Sequence, residues 1–148
     1  MTLELKILGI PQPKQSVRSS GKITTTGKVK IRHFQPEKIK QNERNIAFYV
    51  KSQLPKGFRP FDGPIAVKRL LYVFPPQKNW SKTKLKQMEE GTVFYRDVKP
   101  DLMDNLNKPL FDALEGIVYT NDARIVKADG MLKIYGFVPR IEIEFEKL

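Results

Sequence analysis

The chain contains no cysteine, so neither a disulfide framework nor a thiolate metal site is open to it. It has one histidine, His33, and a lone imidazole cannot build a zinc site. Any bound metal must therefore sit among oxygens. No apolar run reaches the length of a membrane span, and Met1-Thr-Leu-Glu-Leu-Lys6 lacks the basic start and unbroken apolar stretch of a signal peptide. These absences point to a cytoplasmic protein. Internal repeats and low-complexity tracts are also missing. At 148 residues and 40% hydrophobic, the chain suits one globular domain over 1–148, burying roughly two-thirds of its unfolded surface.

What the chain has in excess is positive charge, +11 in total, unevenly spread. Residues 1 to 60 carry a balance of +10, residues 61 to 100 carry +4, and residues 101 to 148 carry −3. A polyanion would be gripped by the first two-thirds, because each neutralised phosphate releases condensed counterions, and worked on by the carboxylate-rich last third. A merely soluble basic surface is the plainer alternative and does not account for the asymmetry.

Leu3, Leu5 and Ile7 alternate with Glu4 and Lys6 before Gly9, the period of a half-buried strand. Pro11 to Gly27 is rich in turn formers without a sustained apolar period, which predicts a loop or loose hairpin. A short strand over Lys28 to Phe34 follows and is expected to pair with the first. Lys14, Arg18, Lys22, Lys28, Lys30 and Arg32 are the expected contacts to nucleic-acid phosphates. Pro36 opens a helix to about Leu54, with Ile39, Ile46, Ala47 and Val50 on one side. Ile65 to Phe74 reads as a central strand covered on both faces. Trp80-Ser81 with Leu85 has the form of a hydrophobic staple around an N-cap, opening a short helix that Gly91 stops. Thr92 to Arg96, Arg124 to Val126 and Met131 to Tyr135 read as short strands, and Arg140 to Glu146 as a longer one with a wet face. Several strands and three helices out of strict alternation predict an α+β fold.

The segment Lys99 to Gly116, followed by Asn121-Asp122, concentrates hard oxygen ligands around Lys108. Wound as an α-helix from Asp101, it gathers Asp101, Asp104, Asn105, Lys108 and Asp112 into a sector of about 100° and turns Leu102, Met103, Leu106, Leu110, Ala113, Leu114 and Ile117 the other way. Three ordinary roles compete with chemistry here. Asp101 and Asp104 suit a helix cap, Lys108 an i,i+4 surface pair, and Asp122 a turn. Pro109 cannot donate to the carbonyl of Asn105, so either the helix kinks there or it begins near Pro109 after an irregular entry. Against those readings stands their joint occurrence in a chain built to attract an anion. Carboxylates without Cys or His select Mg²⁺ or Mn²⁺. A metal on Asp101, Asp104 and Asp122 would polarise a scissile phosphate and activate water, with Lys108 steadying the developing negative charge.

The block Asp101-Leu-Met-Asp104-Asn105-Leu-Asn-Lys108, then Asp112-Ala-Leu114 and Asn121-Asp122-Ala-Arg-Ile-Val126, resembles the motif of the RusA family of Holliday-junction resolvases, common in phages and prophages. Weaker likeness extends to Pro11-Gln-Pro-Lys14-Gln-Ser-Val-Arg18. The resemblance implies a mixed sheet packed by helices and a homodimeric, Mg²⁺-dependent endonuclease. Such an enzyme would bind four-way DNA junctions by shape and nick opposing strands symmetrically, leaving 5′-phosphate and 3′-hydroxyl ends. It also implies Asp104, Lys108 and Asp122 as catalytic positions, with Asp101 beside them. Two departures stand out. The first two carboxylates are separated by two residues instead of one, putting Asp101 on a different backbone path, and Asn121 stands where many members place an acid. The competing functions are a non-catalytic basic nucleic-acid-binding module, with Phe34, Phe48, Tyr49, Phe58 or Phe61 stacking on bases, and a nuclease for flaps or other branched substrates.

Overall fold

The central strand, Ile65–Phe74, is apolar over most of its length, and every other part of the main sheet is arranged around it. In a computed structural model, which describes residues 1–13, 18–23, 27, 29–34 and 37–148, the elements run as follows. They are β1 (Thr2–Leu8), β2 (Arg18–Ile23), β3 (Val29–Phe34), α1 (Glu37–Gln53), β4 (Ile65–Phe74) and α2 (Lys82–Glu89). A π-helical turn (Leu102–Asn107) then leads into α3 (Lys108–Leu114), a 3₁₀ turn (Asp122–Arg124), β5 (Ile125–Ala128), β6 (Met131–Tyr135) and β7 (Arg140–Lys147). No helix among the described residues is long and apolar enough to cross a membrane.

The main sheet is mixed and five-stranded. Its order is β1-β7-β4-β5, with β6 also paired to β4. β7 lies antiparallel between β1 and β4, and β5 and β6 both run parallel to β4 along its other side. β5 and β6 are one strand line interrupted at Asp129-Gly130, where Asp129 N–H donates to Val67 O and Leu70 N–H donates to Gly130 O. β4 bulges against β7 at the same level, and there Lys68 and Arg69 face solvent in succession. Those two cations then reach Glu146 and Glu142.

The alternation read in the first and last strands is the alternation that folds: Leu3, Leu5 and Ile7 stand opposite Phe145, Ile143 and Ile141, and all six are buried. α1 and α3 cover this face, with Ile46, Val50, Leu110 and Leu114 in the same core. The Gln53 amide pairs with both the N–H and C=O of Lys6 (2.8 and 2.6 Å), blocking part of the outer edge of β1 against strand addition.

Three expectations change. β3 pairs with β2 in a separate two-stranded ribbon and not with β1, which pairs with β7 on one flank and has part of the other covered by Gln53. Thr92 to Arg96 is not a strand; it touches β6 through a single bridge, Tyr95 to Ile134. Met103, expected on the core side of the acidic segment, is exposed. Elsewhere the reading of α2 matches in detail, with Ser81 as N-cap accepting from Lys84 N–H and Gly91 at positive φ beyond its end.

Gly136 follows β6, and a Cβ built there would lie 2.6 Å from Cγ1 of Val73, a stiff and fully buried side chain. Gly136→Ala should therefore cost about 1–3 kcal/mol by overpacking, measured as a lower urea midpoint with unchanged slope.

Candidate active site

Why the acidic segment leaves α geometry follows from two residues. Asp101 is the N-cap, and its Oδ1 accepts from both Asp104 N–H (2.9 Å) and Asn105 N–H (3.0 Å). Leu106 N–H then donates to Asp101 O, five residues back, the wide spacing of a π turn. Pro109 falls in the first turn of α3, where its missing donor has no intrahelical partner to lose. The irregular entry before Pro109 is thus the option realised, and the extra residue between Asp101 and Asp104 coincides with the turn that can absorb one.

Along the π turn the polar and apolar sides expected of Asp104, Leu106 and Lys108 are kept. Leu106 and Asn107 are buried, while Asp104 and Lys108 are exposed. Asn107 Oδ1 accepts from the hydroxyl of Tyr72 (2.8 Å), in the middle of β4, and Nδ2 donates to Met131 Sδ (3.5 Å). Burial pushes the Tyr72 phenol far above its usual range, so it remains a donor.

A cavity of about 360 Å³ opens beside this anchor. Its polar lining is Asp104, Asn107, Lys108 and Asp122, drawn from both the π turn and the 3₁₀ turn. Met103, Phe111, Ile125, Ala128 and Met131 supply the rest. Asp104, Lys108 and Asp122, singled out from the sequence, therefore meet. Asp101 does not join them and lines an adjoining hollow with Arg96, Lys99 and Lys133. Its two backbone amide donors, Asn105 first, hold its carboxyl below the usual range, with help from Lys133 and Lys99.

Lys108 pairs with Asp112 (2.9 Å) and not with Asp104, and Asp112, with weaker help from Asp122 and Glu115, raises its pKa. Carboxylate oxygens of Asp112, Glu115 and Asp122 lie within 4.8 Å of one another. Asp112 and Glu115 were not among the ligands expected from sequence. The i,i+4 step from Lys108 to Asp112 and the i+3 step on to Glu115 were the available signal. In the second turn, Asn121 takes the Asx role by accepting from Ala123 N–H, so the turn does not rest on the Asp122 carboxylate.

The family model for endodeoxyribonuclease RusA matches residues 10–146. The chain belongs to the RusA endodeoxyribonuclease family. It is also 28% identical over 132 residues to the uncharacterized protein YqaN of Bacillus subtilis strain 168, covering 89% of this chain and 84% of that protein.

Around the RusA-family motif the structure adds holders that sequence alone did not mark. Lys133 Nζ donates to Val98 O and Pro100 O, both at 2.8 Å, and Arg96 donates to Lys99 O while stacking on Phe74. Three successive carbonyls ahead of Asp101 are thus held by two cations, which in a basic protein would otherwise read as DNA contacts. Asp62 does the same for the second turn, accepting at Oδ1 from Thr120 Oγ1 (2.8 Å) and Arg124 Nη2 (3.0 Å) on either side of Asp122.

The expected DNA-binding cations sit on the β2–β3 ribbon. Its register sets Lys22 opposite Lys30 and Ser20 opposite Arg32, so the positions of Arg18, Lys22, Lys30 and Arg32 share one face. Lys14 and Lys28 lie outside the described residues.

The Thr120 hydrogen bond, and then Arg124, pull the Asp62 carboxyl below its ordinary range. Its native pKa being depressed, its contribution is present above the unfolded pKa and disappears as pH falls through the native one. The melting-temperature difference between wild type and Asp62→Ala should accordingly shrink from about pH 5 to about pH 2; a constant difference would show that the carboxylate charge is not what holds the turn.

Proposed function

We propose that this protein is a cytoplasmic, Mg²⁺-dependent resolvase that binds four-way DNA junctions and nicks opposing strands, leaving 5′-phosphate and 3′-hydroxyl ends. The observation that carries the reading is the meeting of Asp104, Lys108 and Asp122 on one cavity in a RusA-family chain. The donor set fits a hard cation. It is all oxygen, and Asp122 already has carboxylate oxygens of Asp112 and Glu115 within 4.8 Å. Asp104 and Asp122 would hold the ion; Asp101, which lines a separate hollow, would become the third proposed ligand by swinging its Oδ2 across, since both its cap bonds fall on Oδ1. Mn²⁺ would substitute, having the same preference for oxygen. The bound cation supplies Lewis acidity at the scissile phosphate and lowers the pKa of the attacking water.

The rest falls to the chain's own groups. Lys108, kept charged by Asp112, is the cation that stabilises negative charge gathering on the phosphate oxygens. The cluster of acids around it repels DNA while no cation is bound, so cleavage and tight binding both depend on neutralising that charge. The cationic face of the β2–β3 ribbon grips phosphates and positions the strand without reading bases. Symmetric nicking requires two such cavities, and one chain shows one among its described residues, so the active species is a homodimer.

Asp104→Asn and Asp122→Asn should each reduce cleavage of a labelled four-way junction by at least about a hundredfold while leaving junction binding equal or tighter, with unchanged circular dichroism. Unfolding of both variants would assign these acids to stability and favour a passive DNA-binding module; a preference for flaps over junctions would move the substrate. The logarithm of the binding constant should also fall steeply and linearly with that of salt concentration, and a flat dependence would contradict the charge argument.

A further inference from the structure

The cavity beside Lys108 is larger and more apolar than a phosphate needs. At about 360 Å³ it is at the lower end of the range of small-ligand sites, about 300–1,000 Å³. Five of its nine lining residues, Met103, Phe111, Ile125, Ala128 and Met131, present carbon or sulfur. Such walls desolvate an ionic oxygen without compensation, but they suit the face of a heteroaromatic ring.

Asn107 then needs an account. It is 5% exposed and is the buried polar side chain among the described residues. A thioether sulfur cannot donate, so the atom facing Met131 Sδ at 3.5 Å must be the amide nitrogen, and the oxygen must be what receives the Tyr72 hydroxyl. The carbonyl end is satisfied by a strong donor, whereas the amino end, turned toward Met131, another residue of the cavity lining, has only a weak sulfur acceptor. Replacing Tyr72 and Asn107 with hydrocarbon would fill this position at lower desolvation cost. What the pair adds is a fixed donor inside an apolar hollow next to three charged groups.

We propose that this hollow receives one unstacked nucleobase of the strand whose phosphate lies at Asp104, Lys108 and Asp122, its ring against Met103, Phe111 and Met131 and a ring acceptor on Asn107 Nδ2. The inference rests on the nuclease reading and deepens it: the pocket, and not the phosphate contacts, gives the enzyme its base preference at the cut. An unpaired or strained nucleotide at a junction crossover enters at least cost, because its stacking is already weakened.

The test uses four-way junctions carrying 2-aminopurine, in turn, at each nucleotide flanking the crossover, with Ca²⁺ replacing Mg²⁺. Binding of the wild type should brighten one position several-fold, and Asn107→Leu and Ala128→Phe should both abolish the rise. Ala128 is exposed on β5, so its replacement fills the hollow without disturbing the core; should Asn107→Leu fail to fold, Ala128→Phe decides alone. In Mg²⁺ the wild type should prefer one base at that position by about tenfold, the worth of one hydrogen bond, and both variants should lose the preference. Absence of brightening, or brightening that both variants keep, overturns the pocket. Cutting without brightening would leave the nuclease reading intact and remove the pocket, whereas brightening without cutting would remove the nuclease reading and keep the pocket.

Discussion

A single buried hydrogen bond, from the Tyr72 hydroxyl to the Asn107 amide, ties the acidic segment to the middle of the sheet. Tyr72 is fully buried on the strand that pairs with β5, β6 and β7, so its hydroxyl is a fixed point. The residue it holds is the last of the π turn, and the next, Lys108, begins α3. With Leu106 packed into the core on one side, Asp104 and Lys108 lie on the exposed side of the segment and line the cavity. A polar anchor is used here because apolar packing alone is tolerant of small slides along a helix, whereas a buried amide left without its partner is costly.

Around that point the protein commits charged side chains to its own backbone and turns. Lys133 and Arg96 hold carbonyls ahead of Asp101, and Asp62 holds the turn that presents Asp122. These groups lie on β6, on the segment bridged to it, and on the loop before β4, so the carboxylates are referenced to the sheet and not to one another. This matters because carboxylates as close as those of Asp112, Glu115 and Asp122 repel one another, and holders outside the cluster keep the turns from relaxing apart.

Much of the scaffold was legible in the residues. Period-two alternation marks a strand with one buried face whatever its neighbours are, so β1 and β7 could be read directly, as could the long apolar β4 and the Ser81 cap. Thr92 to Arg96 and the partner of β3 could not, since strand pairing depends on which edge other strands leave open. In the site, residue types at the motif positions singled out Asp104, Lys108 and Asp122, which the structure brings to one cavity. The cap role of Asp101 and an i,i+4 pair for Lys108 could be read among the ordinary roles of those residues, whereas the burial of Asn107 was hidden, because it depends on a contact with Tyr72 on β4 that local spacing does not show.

By itself the sequence determined the chemistry available: oxygen ligands without thiolates or a histidine pair, one lysine among acids, and a basic front two-thirds to meet a polyanion. It also determined the strands and helices, because hydrophobic period and capping are local properties of the chain. Which acids share a cavity was decided only by the tertiary structure. Asp104 and Asp122 are brought together by a helix, a returning turn and two parallel strand segments docked on β4, and long-range docking has no signature in local spacing.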